Sequence, residues 1–344
     1  MSWYQKAALQ NDPTAQRKIG LLHHNGLGVP QDHSQAMSWY LRAAAQNQAA
    51  AQHNLGSMYK KGHGVKVDLK VAMAWFRKAA DQGDPDSQFC VGVLYDNVNG
   101  EGGIDQDYGL AMEWYLKSAA QGDLDAAYNI GLMYRMGNGV PKDNAQAMEW
   151  YLKAAAKGDA DAQCNIGQLY KYGGDGDGDD GAEQDFELAV EWYRRAADQG
   201  HATAQFNLAL MYEDGQGFEQ DFTLAMQWFQ KSAEQGDVDA QYNIGRFHHY
   251  GHGVPQDFVR AMKYYRKAAD QGNASAMCTL EWFLKAAEAG SRNVQLFIGA
   301  LYERGDGMRQ DLYEALIWYR KAAALGDVEA ARRFDKLKQR KPRC

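Results

Sequence analysis

The chain has 344 residues, 45% hydrophobic and 24% charged, with a formal net charge of −7 and a pI near 5.7. That apolar content excludes a disordered chain, and the acidic balance disfavours nucleic acid and anionic membrane surfaces as partners. No run approaches the ~18 apolar residues of a membrane-spanning helix, and 36 glycines against six prolines suit helices punctuated by glycine turns.

The opening, MSWYQKAALQ, is not a charged-then-apolar leader. It already belongs to a repeat. Trp3, Trp39, Trp75, Trp114, Trp150, Trp192, Trp228, Trp282 and Trp318 each precede Tyr or Phe, and Tyr264-Tyr265 stands in for a tenth copy. Successive spacings are 36, 36, 39, 36, 42, 36, 36, 18 and 36 residues. A fixed period of this kind overrides the two or three globular domains that length alone suggests.

Each full unit reads as two helices. In the first, helix A, Ala126, Ile130, Met133 and Tyr134 fall on one face; in the second, helix B, so do Ala147, Trp150, Tyr151 and Ala154. A small residue recurs in helix A (Gly20, Gly56, Gly92, Gly131, Gly167, Ala209, Gly245, Gly299), where a larger side chain would push neighbours apart. Helix A ends in Gly-x-Gly, as at Gly137/Gly139, and helix B at a further glycine such as Gly158. Asp32, Asp68, Asp107, Asp143, Asp185, Asp221, Asp257 and Asp311 occupy the N-cap of helix B, and Gln35, Gln146 and Glu314 three residues on predict capping boxes.

The pattern, nearly whole in AQYNIGRFHHYGHGVPQDFVRAMKYYRKAADQGN, resembles the Sel-1-like repeat, a branch of the tetratricopeptide superfamily, over essentially residues 1 to 339. The resemblance implies an all-α fold, a right-handed α/α superhelical solenoid of helix-turn-helix repeats with helix A lining the concave side. It also implies an adaptor or scaffold role. Some cysteine-rich secreted relatives are linked to penicillin binding or hydrolysis. The paired cysteines of those relatives are missing here, where Cys90, Cys164, Cys278 and Cys344 are isolated, and a cytoplasmic location is expected.

Three irregularities break the period. The first helix B has no helix A before it, which makes the N-terminal end, with Trp3 and Tyr4, a candidate self-association surface or a chain boundary. Between Tyr264 and Trp282 half a repeat is missing, and since 18 residues are five helical turns, one continuous helix is expected from about Ala274 to Ala289. The expected organisation is a regular array over 1–273, a fused half unit over 274–290, and a last repeat with a basic capping helix and tail over 291–344. Third, KYGGDGDGDDGAEQD spaces Asp175, Asp177 and Asp179 like a calcium loop, but Asp180 and Phe186 stand where Gly and Glu are required, so an acidic loop is expected and no metal.

Other chemistry is sparse. His23-His24 and His248-His249 with His252 follow repeat drift at positions held elsewhere by Tyr or turn residues. Ser57-Met58-Tyr59-Lys60 matches Ser-x-x-Lys, but neither Ser-Asp-Asn nor Lys-Thr-Gly accompanies it. The best candidate site is a helix-A ladder, Asn54, Asn129, Asn165, Asn207 and Asn243, interrupted by Cys90. Amides both donate and accept, so such a row can pair with a peptide backbone; equally it can tie one repeat to the next. Beside it, Phe89, Tyr128, Phe206 and Tyr242 are core or groove. The expected function is a non-enzymatic scaffold or adaptor that binds a protein or peptide in the concave groove and needs no cofactor. A penicillin-interacting hydrolase and a self-assembling architectural protein are the alternatives.

Overall fold

The computed structural model describes residues 2–96, 103–173, 183–305 and 309–340, apart from the side chains of Ser2, Trp282 and Arg340. The predicted acidic loop, from Asp175 to Asp180, lies outside the described residues. Two compact units divide at Gln184/Asp185. The boundary expected at 273/274 falls inside the second.

The first unit holds ten helices: α1 (Ser2–Leu9), α2 (Pro13–Asn25), α3 (His33–Ala45), α4 (Ala49–Lys61), α5 (Leu69–Ala80), α6 (Pro85–Asp96), α7 (Tyr108–Ala119), α8 (Leu124–Met136), α9 (Asn144–Ala155) and α10 (Ala160–Tyr172). The second holds nine: α11 (Phe186–Asp198), α12 (Ala202–Asp214), α13 (Phe222–Glu234), α14 (Val238–Tyr250), α15 (Phe258–Ala269), α16 (Ala274–Glu288), α17 (Arg292–Arg304), α18 (Leu312–Ala324) and α19 (Val328–Arg340). No strand occurs among the described residues. Within each unit consecutive helices pack on one another, which makes each an all-α solenoid of helix-turn-helix repeats. The segment with the missing half repeat, α16, is a single helix capped by the Asn273 side chain on the Ala276 amide at 2.8 Å.

The recurring core contact joins the small residue of helix A to the aromatic residue after each tryptophan. Tyr40, Phe76, Tyr115, Tyr151, Tyr265 and Tyr319 are each 1% exposed or less. Their rings lie so close to Gly20, Gly56, Gly92, Gly131, Gly245 and Gly299 that a Cβ would come within 2.6–2.7 Å of a ring carbon. The expected close approach is therefore of a ring onto backbone. The tryptophans do a different job. Trp75 packs where Ala36 and Tyr40 of the preceding helix B meet Leu55 of its own helix A, and Trp150 where Ala111 and Tyr115 of the preceding helix B meet Ile130 of its own helix A. Their outer faces carry a cation three residues on, such as Lys153 at 3.5 Å from the Trp150 ring and Lys231 at 3.6 Å from Trp228.

All eight predicted N-cap aspartates accept from amides of the following turn, as Asp143 does from Gln146 at 2.8 Å. The reciprocal half of the capping boxes at Gln35, Gln146 and Glu314 does not form. The N-cap amides instead donate to helix A, Asp32 to the His23 carbonyl at 2.9 Å, Asp143 to Tyr134 at 2.9 Å and Asp311 to Tyr302 at 3.0 Å. A backbone carbonyl already held at the turn outcompetes a side chain that must be ordered to reach back.

A buried glutamine ladder joins the repeats. Gln16, Gln52, Gln88, Gln205 and Gln241 are 6% exposed or less, and each accepts from a glutamine at the end of its own helix B (Gln46, Gln82, Gln121, Gln235, Gln271) at 2.7–2.9 Å. Four of the amide nitrogens reach the preceding turn: Gln88 donates to the Ala80 carbonyl at 3.2 Å, Gln205 to the Ala197 carbonyl at 3.1 Å, and Gln16 and Gln52 to the side chains of Asn11 and Asn47 at 3.0 and 3.1 Å, while that of Gln241 is buried without a partner. Those two asparagines hold positive φ angles of 65° and 61°, where later repeats use glycine.

Two substitutions test this wiring. Gly131→Val should lower stability by about 1–3 kcal/mol through overpacking against Tyr151, read as a lower urea midpoint, whereas an unchanged midpoint would remove the ring–glycine contact from its central place. In the last repeat Leu325 holds the helix-end position of the ladder, and the Gln295 oxygen is buried with no partner. Leu325→Gln should supply the missing donor and raise stability by roughly 0.5–1.5 kcal/mol, measured by thermal melting.

Candidate functional site

Residues of helix A left half-buried beside the ring of helix B and the glutamine ladder form the candidate surface. One residue before the ladder position stands, in four repeats, a half-buried aromatic side chain, and four residues on a second half-buried one: Phe89 with Val93, Tyr128 with Leu132, Phe206 with Leu210, Tyr242 with Arg246; Cys164, before Asn165, is buried. A helix sets such pairs side by side. The aromatic ring of each pair tilts against the buried ring of helix B, with centroids 5.8 Å apart for Phe89–Tyr115 and Tyr128–Tyr151, 5.7 Å for Phe206–Phe229 and 5.5 Å for Tyr242–Tyr265. The rings are thus core on one side and open on the other.

The asparagines sit beside this row and differ in what they hold. Asn129 donates to the Asp125 carbonyl at 2.8 Å within its own helix. Asn165 has both ends engaged with the preceding helix A, accepting from Arg135 at 2.7 Å and donating to the Tyr128 hydroxyl at 3.2 Å. Asn243 donates to the Asp239 carbonyl at 2.9 Å and accepts from Arg246 at 2.6 Å. The Asn54 amide nitrogen is buried with no partner. Asn207 is 9% exposed, between the Phe206 and Leu208 side chains in sequence.

The first unit has an open cleft on this face, with Phe89 and Cys90 on one wall and Gln121, Asp123 and Asp125 on the other. His53 closes one end, its Nδ1 2.9 Å from the Ser87 hydroxyl and 3.8 Å from Asp84. Burial holds the His53 imidazole below the ordinary histidine value, with Asp84 opposing. Burial raises the Asp125 carboxyl, and Asp123, Asp159 and Asp161 push it further. The first aspartate of each pair is an N-cap, Asp123 on Ala126 at 3.1 Å and Asp159 on Ala162 at 2.6 Å, and the second lies in the first turn, where the helix dipole favours it. This acidity is thus largely answered by the helices that carry it.

In the second unit Arg246 is held by Asn243 and by Glu213, whose Oε1 is 3.1 Å away. Burial raises the Glu213 carboxyl and Arg246 opposes the rise. Arg246 lines a second cleft with Tyr242, His249, Tyr250, Tyr265 and Thr279. Neither this cross-repeat ion pair nor the glutamine ladder was apparent from the tryptophan period. The ladder does have a sequence signal: Gln recurs fourth in helix A and again 30 residues later (33 for Gln88), before the glycine or, at Gln46, the asparagine that ends helix B. Glu213 and Arg246 occur in one repeat each, so no period marks them.

The remaining sequence candidates are dispersed. Ser57 and Lys60 lie one turn apart on α4, both half-buried. His248 is buried against Tyr264, and His252 stacks on Phe222 with centroids 4.6 Å apart. No group of three or more His, Cys, Asp or Glu among the described residues is arranged to hold a metal ion. Trp3 and Leu9 on α1 are 81% and 86% exposed. In the basic C-terminal helix Arg333 is tied to Glu329 at 2.7 Å. Among the described residues no helix is long and apolar enough to cross a membrane.

Known proteins place this architecture. The Sel1 repeat matches ten segments, residues 1–12, 13–48, 49–84, 86–123, 124–159, 160–201, 202–237, 238–273, 279–291 and 293–327. A protective antigen present in uropathogenic Escherichia coli strains, displaying an SLR fold, is similar at 36% identity and a TM-score of 0.73, over 98% of this chain and 74% of that one. A Sel1 repeat protein from Oxalobacter formigenes is similar at 34% identity and a TM-score of 0.67, over 81% of this chain and 78% of that one. No curated protein matches. The fold these share is one generally used for protein–protein interaction. On its ten repeat matches and its helix-pair architecture, the chain belongs to the Sel1 repeat family.

Proposed function

We propose that the protein is a non-enzymatic scaffold or adaptor whose helix-A face holds an extended polypeptide segment of a partner protein. The observation that carries this reading is a set of half-buried pairs in each unit, Phe89/Val93 and Tyr128/Leu132 in the first and Phe206/Leu210 and Tyr242/Arg246 in the second, which adjacent repeats share and the core only partly consumes. A specific interface needs roughly 800 Å² per partner, more than one repeat supplies, so several repeats must act together. Apolar side chains of the segment would lie against the aromatic rings. The buried, unpartnered Asn54 amide would be satisfied by a backbone carbonyl of the segment. Asn129, Asn165, Asn207 and Asn243 belong to the same proposal in two parts. Those bonded at both ends, Asn165 and Asn243, support the surface by fixing its neighbours, while Asn54, Asn129 and Asn207 supply contacts.

A photo-crosslinking side chain at Leu132 tests the face, with one at the exposed Glu149 of helix B as its control. Protein adducts from the source cell are expected at position 132 and not at 149. Tyr128→Ala should weaken capture about tenfold, the loss expected for one aromatic anchor. Adducts confined to position 149 would move the binding surface to helix B.

A further inference from the structure

The first two repeats bring together three imidazoles from three separate elements. His24 lies in the last turn of α2, His33 at the first position of α3, and His63 in the turn after α4. Their ring centroids are 5.0 Å (His24–His33), 5.2 Å (His24–His63) and 5.1 Å (His33–His63) apart, the last pair stacked at 14°. Stacking of a turn residue on the first residue of the preceding helix B is a junction contact of the array: His252 sits on Phe222 in the same way, with centroids 4.6 Å apart. The backbone closes similarly at both places. A Cβ on Gly64 would meet His33, and one on Gly253 would meet Phe222, each at 2.6 Å.

The chemistry differs between the two junctions. Phe222 cannot take up a proton, whereas every ring of the first junction can. The Nδ1 atoms of His24, His33 and His63 are all buried with no hydrogen-bond partner. The charged and titratable groups around them come from each packed element. Lys61 is on α4, Tyr40 on α3 with its ring 6.4 Å from His24, and Arg17 on α2 acts on Tyr40; neighbouring His23 acts on Asp32. Burial first, then His33, His63 and Lys61, hold the His24 imidazole below the ordinary histidine value, and no carboxylate is among the groups acting on it.

We propose that the His24–His33–His63 cluster is an acid-sensitive latch between the first two repeats. Neutral, its rings hold the turn of the second repeat on α3; protonated, they release it. An opened His24 binds a proton more readily than a latched one, so the latched form is favoured above the ordinary imidazole value and loses ground as pH falls through it. Among the described residues no other junction brings three imidazoles together, so opening is local.

Hydrogen exchange of the full chain, corrected for intrinsic rates, tests the latch at about pH 7.5 and about pH 5.5, either side of the ordinary value of ~6.5. Protection over residues 24–36 and 60–68 should fall at the lower pH, by up to about tenfold per pH unit for each extra proton bound on opening. Residues 124–150, which contain no histidine, should keep theirs. The double variant H33F/H63N carries the residues of equivalent positions, Phe222 and Asn138, and should keep its neutral-pH protection while losing the pH dependence. H24Q, neutral at every pH, should reduce that dependence and serves if the double variant folds poorly. Equal loss over 124–150, or pH dependence retained in both variants, would overturn the latch. So would zinc chloride raising protection over 24–36 at neutral pH in the wild type and not in H33F/H63N, which would make the cluster a metal site.

Discussion

An aromatic ring laid flat on the backbone of the facing helix sets the geometry of this protein. Where Tyr151 covers Gly131, any side chain at 131 would occupy the volume of the ring, so the distance between the paired helices is fixed by a missing Cβ and not by interdigitating side chains. The cost of glycine inside a helix, about 1 kcal/mol relative to alanine, is offset because the ring buries nearly its whole surface. Ala209 opposite Phe229 shows that the smallest side chain can be accommodated in one repeat. With the pair locked, tryptophan can pack where its own helix A meets helix B of the repeat before, which joins neighbouring helix hairpins within each unit.

Apolar contacts alone would let adjacent repeats slide. The glutamine ladder resists this because its members are buried and an amide left without a partner there is costly. Gln16, Gln52, Gln88 and Gln205 are each answered from two directions, by the end of their own helix B and by the preceding turn, so a shift of one repeat unpairs several groups at once; Gln241 is answered only by Gln271. In the repeat of α8 and α9 both ladder positions change together, to Ala127 and Lys157, and Lys157 still reaches the Gly122 carbonyl at 3.4 Å, the bond that Gln121 makes to Gly83 at 2.9 Å. Losing both partners together leaves no orphan. Losing one, as at Leu325, leaves the Gln295 oxygen buried and unpaired.

Most of the architecture was legible in the sequence because it rests on contacts that repeat. The tryptophan spacing located every helix B among the described residues, the recurrent aspartates located their caps, and the five-turn deletion predicted the single helix that α16 forms. Two local readings needed the structure. The capping boxes follow a residue pattern, yet the amides they need are taken by the carbonyls of His23, Tyr134 and Tyr302, which a pattern along one helix does not reveal. The asparagines look alike in sequence, but their partners depend on residues that do not repeat: Arg135 for Asn165 and Arg246 for Asn243. The question of core or groove for Phe89, Tyr128, Phe206 and Tyr242 had no answer in periodicity, since each ring is one on its inner side and the other on its outer side.

That distinction separates the parts of the chain that must be constant from those that can vary. The ring, glycine, tryptophan, glutamine and capping aspartate of each repeat answer to their neighbours and change only in compensated pairs or at a local cost. The residues before and three after each ladder asparagine answer to the core on one side only, and they differ from repeat to repeat: His53 and Ser57, Phe89 and Val93, Tyr128 and Leu132, Tyr242 and Arg246. On the proposed reading, such a row within each unit would read an extended chain in register, each repeat contributing its own preference, because the spacing is supplied by a core that the reading residues do not have to maintain.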